Sequence, residues 1–289
     1  MTSETSNVPV PSLTLNDERE IPQIGLGTYK LRDEECISVV REAIELGYRH
    51  FDTATLYKNE EALGKALNDA IAAGDVTRDE LFVTSKVWHD HHGADKVREA
   101  FQTSLDQLGL DYLDLYMVHW PWPQGGKYIE TFEEMARLQG MGQIASIGVA
   151  NFYEEVLEEL IKETGIVPVV NQIELNPTFR QPELLDSHKK HGIITQAWSP
   201  LARGKILNNP DIKAIAAQLE RSAGQVALRY LMQKDIVIIP KSSRRERLIE
   251  NLGAKDFELS RSQMEIMDSL NNLEGRSGND PRVWPGDDA

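Results

Sequence analysis

The chain has 289 residues, 40% of them hydrophobic and 27% charged, and a formal net charge of −15. That composition supports a large core, enough for two average domains or one large α/β barrel. The acidic balance excludes general attraction to nucleic acid or anionic membrane. The single cysteine, Cys36, excludes an intrachain disulfide framework and fits a reducing compartment.

The opening MTSETSNVPVPS is polar and lacks the basic start and apolar centre of a signal peptide. No apolar run approaches the roughly 20 residues a membrane span needs. A soluble, cytoplasmic protein with a flexible segment 1–11 is expected. Residues Ser12–Ile24 read as a hairpin around Asn16-Asp17. Beyond it, strand-like runs alternate with one-sided helices. The predicted strands are Tyr48–Asp52, Leu81–Lys86, Leu113–His119, Ser146–Ala150, Val169–Ile173, Ile193–Trp198, Ile236–Lys241 and Asp256–Leu259.

The helical stretches are punctuated. Asp33–Leu46 carries Ile37, Val40 and Ile44 on one face, with Asp33 placed as N-cap and Gly47 past the end. Ala94–Leu108 runs up to Gly109 and Glu154–Thr164 up to Gly165. Further helices are expected at Glu60–Ala73, Thr131–Gln139, Glu183–His191, Arg244–Leu252 and Ser260–Leu273. The pair Asp211–Glu220 and Ser222–Gln233 precedes the seventh strand. Apolar strands alternating with one-sided helices imply a parallel sheet covered by helices, and eight repeats favour a closed (β/α)₈ TIM barrel. Gly25-Leu26-Gly27 lacks the third glycine of a dinucleotide-fold turn and lies before the first predicted core strand.

In such a barrel, strand C-termini converge on one face. This chain puts Asp52, Lys86, His119, Asn151, Gln172, Glu174, Ser199 and Lys241 there. Singly, each has an ordinary explanation as a cap, a solvated charge or a structural histidine. Their recurrence at one end of seven strands points to a site.

Three segments, GYRHFDTATLYKNEEALG (Gly47–Gly64), LDLYMVHWP (Leu113–Pro121) and IPKSSRRERLIENL (Ile239–Leu252), resemble the signature regions of the aldo-keto reductase family. The likeness runs from the hairpin to about Leu273. The KVW and AWSP segments and short loops resemble bacterial 2,5-diketo-D-gluconate reductases in particular. The resemblance implies a catalytic set of Asp52, Tyr57, Lys86 and His119, with NADPH as hydride donor. Carbonyl reduction needs a proton at the developing alkoxide, and a phenol can supply it if its pKa, near 10, is eased. An ammonium 4 Å away is worth roughly 4 kcal/mol at an effective dielectric of 20, so Lys86 is expected to ease Tyr57, with Asp52 holding Lys86 charged. His119 would orient the carbonyl.

The same comparison implies that Asn151 and Gln172 meet the nicotinamide amide, that Trp198 stacks on its ring, and that Ser199 and Leu201 lie beside the pyrophosphate. Lys241, Ser242, Arg244 and Arg247 would hold the 2′-phosphate, with Glu250 and Asn251 near the adenine. Cations and a hydroxyl beside a helix N-terminus suit a phosphate. Ala150 stands where the family often has serine, which removes a hydrogen bond worth about 1 kcal/mol. Tyr29, Trp88 and Trp120 would wall the substrate, with Trp122 and Trp284 as further contributors, and Arg203 would contact either the cofactor or an acidic substrate. HDHH (His89–His92) lacks a supporting metal motif and reads as loop, so no metal is expected.

The organisation expected is a flexible segment 1–11, one barrel with its hairpin over 12–273, and a tail 274–289 that either folds over the pocket or stays mobile. A monomer acting on a small carbonyl compound is expected, with no nucleic-acid or membrane partner. Two alternatives stand beside it: a Schiff-base lyase using Lys86 as nucleophile, and a nucleotide-binding regulatory module with little turnover.

Overall fold

A hairpin closes the lower end of the molecule. The computed structural model describes residues 9–284. In it β1 (Ser12–Thr14) pairs antiparallel with β2 (Glu20–Pro22). Asn16 and Asp17, polar turn formers, tie the hairpin to the strands above. Ser146 Oγ donates to Asp17 Oδ2 at 2.6 Å and Asn16 Nδ2 donates to the Pro168 carbonyl at 3.2 Å. Leu15 and Ile21 pack with Phe82, Leu115, Met117, Val170 and Val237 in a separate apolar cluster. That cluster fills the floor of a barrel, because Leu115 and Met117 share one strand face with each other.

The barrel strands are β3 (Gly25–Gly27), β4 (His50–Asp52), β5 (Phe82–Val87), β6 (Leu113–Val118), β7 (Ile144–Ala150), β8 (Val170–Glu174), β9 (Ile194–Trp198) and β10 (Val237–Ile238). Each is parallel to its sequence neighbour, and a parallel bridge from Ile24 to Ile238 joins the ends. Around it run α1 (Asp33–Glu45), α2 (Glu60–Ala73), α3 (Ala94–Leu108), α4 (Tyr128–Gly140), α5 (Glu154–Thr164), α6 (Pro182–His191), α7 (Pro210–Gln218), α8 (Ala223–Met232), α9 (Arg245–Leu252) and α10 (Arg261–Asp268). Their buried faces form one continuous layer with the outer faces of the strands. The chain therefore has the expected (β/α)₈ architecture with an N-terminal hairpin.

Two expectations are corrected. Asp256–Leu259 is not a strand; it follows a single 3-10 turn, Gly253–Lys255. The eighth strand is instead β3, whose sequence GLG carries neither alternation nor β-branched residues. Its glycines answer to close packing. A Cβ on Gly25 would lie 2.8 Å from the His50 ring, and one on Gly27 would lie 2.9 Å from the Ile239 carbonyl oxygen. Nor is Asp33 an N-cap. Arg32 occupies that position with no side-chain cap, and Asp33, Glu34 and Glu35 instead place negative charge in the first turn, where the helix dipole favours it. Segment 1–8, part of the stretch expected to be flexible, lies outside the described residues, as does 285–289.

Three histidines are buried in this framework. His50 Nδ1 lies 3.1 Å from the Pro22 carbonyl oxygen. His188 sits between Asn171 Nδ2 at 2.9 Å and Thr195 Oγ1 at 2.8 Å. Both ring nitrogens of His92 are buried without a partner. Burial lowers His50 to about 4 and both His92 and His188 to about 3. The unfolded chain takes up these protons near pH 6.5, so it binds more protons than the fold at acid pH. The stability from each neutral imidazole is complete above pH 6.5 and is lost as pH falls towards the folded values. At roughly 1.4 kcal/mol per pH unit, each costs about 2 kcal/mol between pH 6.5 and 5. Urea unfolding should show a lower midpoint at pH 5 than at pH 7, and His188→Gln should flatten that dependence. A slope unchanged in H188Q would place the acid sensitivity elsewhere.

Candidate active site

The side chains at the upper strand ends meet around one buried ion pair. Asp52 ends β4 and Lys86 lies near the end of β5, both facing inward. Lys86 Nζ donates to Asp52 Oδ1 at 2.5 Å and to the Thr53 carbonyl at 2.8 Å, and the two side chains are essentially inaccessible to water. Asp52 Oδ2 accepts from Gln172 Nε2 at 2.7 Å and from Gln196 Nε2 at 3.4 Å. Four strands, β4, β5, β8 and β9, are thus joined through one carboxylate.

Tyr57 follows β4 in a one-turn 3-10 helix, Thr55–Tyr57. The next loop is secured by Asn59, which accepts from Thr53 Oγ1 at 2.7 Å and donates to the Thr28 and Leu31 carbonyls at 2.9 and 2.8 Å. This sets the half-buried Tyr57 ring with its centroid 5.1 Å from Lys86 Nζ and 5.6 Å from the His119 ring, nearly perpendicular to it. His119, immediately after β6, is buried, and its Nδ1 has no hydrogen-bond partner among the described residues. The four expected residues are therefore neighbours.

The electrostatics differ from the expectation in one respect. Burial and the Asp52 carboxylate hold the Tyr57 phenol well above its ordinary value. Lys86, 5.1 Å from the ring centroid, does not offset these effects. Burial lowers the Lys86 ammonium, an effect that Asp52 opposes. Burial, then Lys86 and His89, push His119 far below the usual imidazole range. The cleft thus offers a neutral phenol and a neutral imidazole beside a paired cation.

Several non-glycine residues in the loops above the barrel adopt left-handed backbone: Lys58 (φ 54°), Asn151 (φ 62°), Ser199 (φ 50°) and Arg203 (φ 54°). Such conformations cost roughly 1–2 kcal/mol each, asparagine least, and persist where the surroundings enforce them. Asn151 shows the enforcement. Its Nδ2 donates to the His119 carbonyl at 2.9 Å and its Oδ1 accepts from Trp198 Nε1 at 2.8 Å. Both amides assigned to a nicotinamide are thus partly occupied within the protein, while the Gln172 side-chain oxygen has no hydrogen bond among the described residues.

The basic cluster lies beyond β10, which is shorter than expected. Lys241 and Arg244 are exposed and in no ion pair among the described residues, and Ser242 Oγ accepts from Arg244 N at 3.1 Å at the start of α9. Arg247 is paired with Glu250, which also accepts from Ser222 Oγ at 2.5 Å. Ser199 and Leu201 are half-buried, and Asn251 is buried. Among the described residues, Lys241 and Arg244 are the side chains of this cluster outside any ion pair.

Aromatic rings wall the other side. Trp88 lies edge-on to His119 with centroids 5.0 Å apart. Trp284, from the C-terminal segment, packs 4.3 Å from Trp120 and 5.5 Å from Trp88. His89 bridges Trp88 and Trp122, at 4.7 and 4.8 Å. Tyr29, half-exposed, lies 5.1 Å from Tyr57. Arg203 is exposed. No group of three or more His, Cys, Asp or Glu side chains suits a metal among the described residues. The residues missed from the sequence are Thr53, whose carbonyl is a backbone acceptor, and Gln196. The latter had a signal, since it precedes Trp198 by two and shares its strand face.

A family model described as the aldo/keto reductase family matches residues 23–272. The chain belongs to that family. An aldo-keto reductase of Mycolicibacterium smegmatis is 45% identical over 274 residues, 95% of this chain and 98% of its own. One of Mycobacterium tuberculosis is 42% identical, covering 99% of this chain and all of its own. Among solved structures, a variant of Gox0644 in complex with NADPH superposes with a TM-score of 0.92 at 40% identity, covering 96% of this chain and 100% of that one. A Bombyx mori aldo-keto reductase in complex with NADP does so with 0.88 at 38%, covering 96% and 98%.

The ion pair carries a stability prediction. Lys86→Met strands the Asp52 carboxylate in the barrel and should cost about 3–5 kcal/mol. Adding Asp52→Asn should restore much of that loss in chemical denaturation. An additive double variant would mean the pair does not hold the site together.

Proposed function

We propose that this aldo/keto reductase reduces aldehydes or ketones to alcohols with NADPH, Tyr57 acting as the proton donor. One observation carries the reading: a neutral phenol lies between the buried Lys86–Asp52 pair and a neutral His119. NADPH, when bound, supplies the hydride. The residues present fit it. The free oxygen of Gln172 suits a carboxamide, the half-buried Trp198 ring suits a flat heterocycle, and Lys241, Ser242 and Arg244 suit a phosphate. Ser199, Leu201, Arg247, Glu250 and Asn251 complete the cofactor channel, with Arg247 as a secondary contact because Glu250 holds it.

His119 donates a hydrogen bond to the carbonyl oxygen and does not supply the proton, since it is neutral and a poor acid in that form. Tyr57 keeps its proton until negative charge develops on that oxygen. Lys86 stabilises the phenolate left behind, and Asp52, held by Gln172 and Gln196, keeps Lys86 in place. The same pair weighs against a Schiff-base lyase, because Lys86 would have to leave Asp52 and the Thr53 carbonyl to attack a carbonyl carbon.

Tyr29, Trp88, Trp120 and Trp284 form the substrate wall. The sequence likeness favours 2,5-diketo-D-gluconate or other small dicarbonyls, and the indole-rich wall extends the range to flat aromatic aldehydes. The working unit is the barrel over 12–273 with the segment from 274 beside it, acting as a cytoplasmic monomer on small molecules.

Tyr57→Phe should lower kcat by at least about 100-fold while NADPH quenches tryptophan fluorescence as in the wild type. Turnover near wild type would remove the proton-donor assignment. Arg244→Ala should raise the Kd for NADPH about tenfold and leave that for NADH within about twofold. Equal weakening of both would place the 2′-phosphate elsewhere.

A further inference from the structure

Glu174 ends β8 with its side chain buried, and no lysine, arginine or histidine lies within ion-pair distance of it among the described residues. A buried carboxylate without compensation is costly. Its hydrogen bonds come from a segment about a hundred residues away. Ser277 N donates to Oε1 at 2.6 Å, Ser277 Oγ donates to the same oxygen, and Gly278 N donates to Oε2 at 2.9 Å.

Gly278 is pressed against the indole of Trp198, so that a Cβ there would lie 2.3 Å from Cη2 of that ring. Arg276, just before, lies over Phe179 at 4.6 Å, and Arg282, further on, lies over Tyr153 at 4.9 Å. Six residues beyond Gly278 the same segment delivers Trp284 onto Trp120 and Trp88. These surface contacts are individually weak. The carboxylate is the strong, directional fastening, since charge-assisted hydrogen bonds are about twice as strong as neutral ones.

We propose that Glu174 is a positioning residue for substrate selectivity, anchoring the C-terminal segment so that Trp284 completes the wall facing His119 and Tyr57. Glu174 touches neither substrate nor cofactor in this role. It acts through Ser277 and Gly278 on Trp284, and so on the affinity for a carbonyl compound with a flat aromatic face. Small carbonyls, which do not reach the indole, are indifferent to it. The inference rests on the carbonyl-reductase reading for its kinetic consequence but not for the anchor itself.

The test uses the full chain with Glu174→Gln, Gly278→Ala and Trp284→Ala. E174Q keeps one acceptor and turns the other into a donor facing an N–H group. G278A dislodges the segment by setting a Cβ against the Trp198 indole, and its benzaldehyde KM and hydrogen exchange keep the anchor testable if E174Q folds poorly. For benzaldehyde, each variant should raise KM roughly three- to tenfold, and E174Q should leave kcat and the Kd for NADPH within about twofold. For methylglyoxal, the KM of E174Q should stay within about twofold. The E174Q/W284A double variant should be no worse than the worse single one, because both remove the same contact. Hydrogen exchange at the Ser277 and Gly278 amides should speed up in E174Q and G278A.

Additive effects in the double variant, or KM values that rise equally for both aldehydes, would overturn the proposal. So would unchanged exchange at both amides in E174Q. A wild-type protein that oxidises NADPH with no carbonyl at all would fall on the proposed function instead, and the exchange result would still decide the anchor.

Discussion

One ion pair organises the upper half of this barrel. Lys86 and Asp52 face each other in a space sealed below by the hairpin and by Phe82, Leu115 and Met117. Two charges there are tolerable because several nearby polar groups are turned towards them. The Thr53 carbonyl takes a second ammonium proton, and the amides of Gln172 and Gln196 cover the outer carboxylate oxygen. Pairs of this kind add little net stability against an apolar replacement, but breaking one partner is expensive. The arrangement is better understood as holding a cation at a defined point under the Tyr57 ring.

Aromatic side chains follow a related logic. The chain has five tryptophans, and all of them, Trp88, Trp120, Trp122, Trp198 and Trp284, lie at the upper end of the barrel or in its loops. The two apolar core clusters hold aliphatic residues, methionine, phenylalanine, tyrosine and Cys36 instead. Indoles supply large rigid surface at little entropic cost and retain an N–H that needs a partner, as Trp198 finds in Asn151. That suits a cleft where one side meets solvent or ligand and the other meets packed protein. The surface is shared between distant parts of the chain, including the segment that Glu174 fastens.

Much of the architecture was legible because the hydrophobic period changes cleanly between strand and helix. Seven of the eight barrel strands and the helices were visible as runs or stripes, with glycines marking several helix ends. The missing strand, Gly25–Gly27, was hidden because its glycines answer to contacts with His50 and Ile239, which are remote in sequence. Asp256–Leu259 reads as a strand because Asp-Phe-Glu-Leu alternates polar and apolar residues, but four residues are too few for that period to decide. Asp33 was mistaken for a cap because an acidic first turn and a capping residue look alike in sequence.

The sequence by itself determined the chemistry available at the strand ends: an acid, a phenol, an amine and an imidazole at Asp52, Tyr57, Lys86 and His119, and a basic cluster before α9. Side-chain identity and position along a strand suffice for that, since a parallel barrel sends its strand ends to one face. Only the tertiary structure decided how those groups are used. It paired Arg247 with Glu250, left Lys241 and Arg244 outside any ion pair among the described residues, set Gln196 on Asp52 and raised Tyr57 despite Lys86. It also brought Trp284 across to Trp120 through Glu174. The reason is that charge pairing, burial and ring contacts are set by distances between residues far apart in the chain, and sequence spacing does not encode those distances.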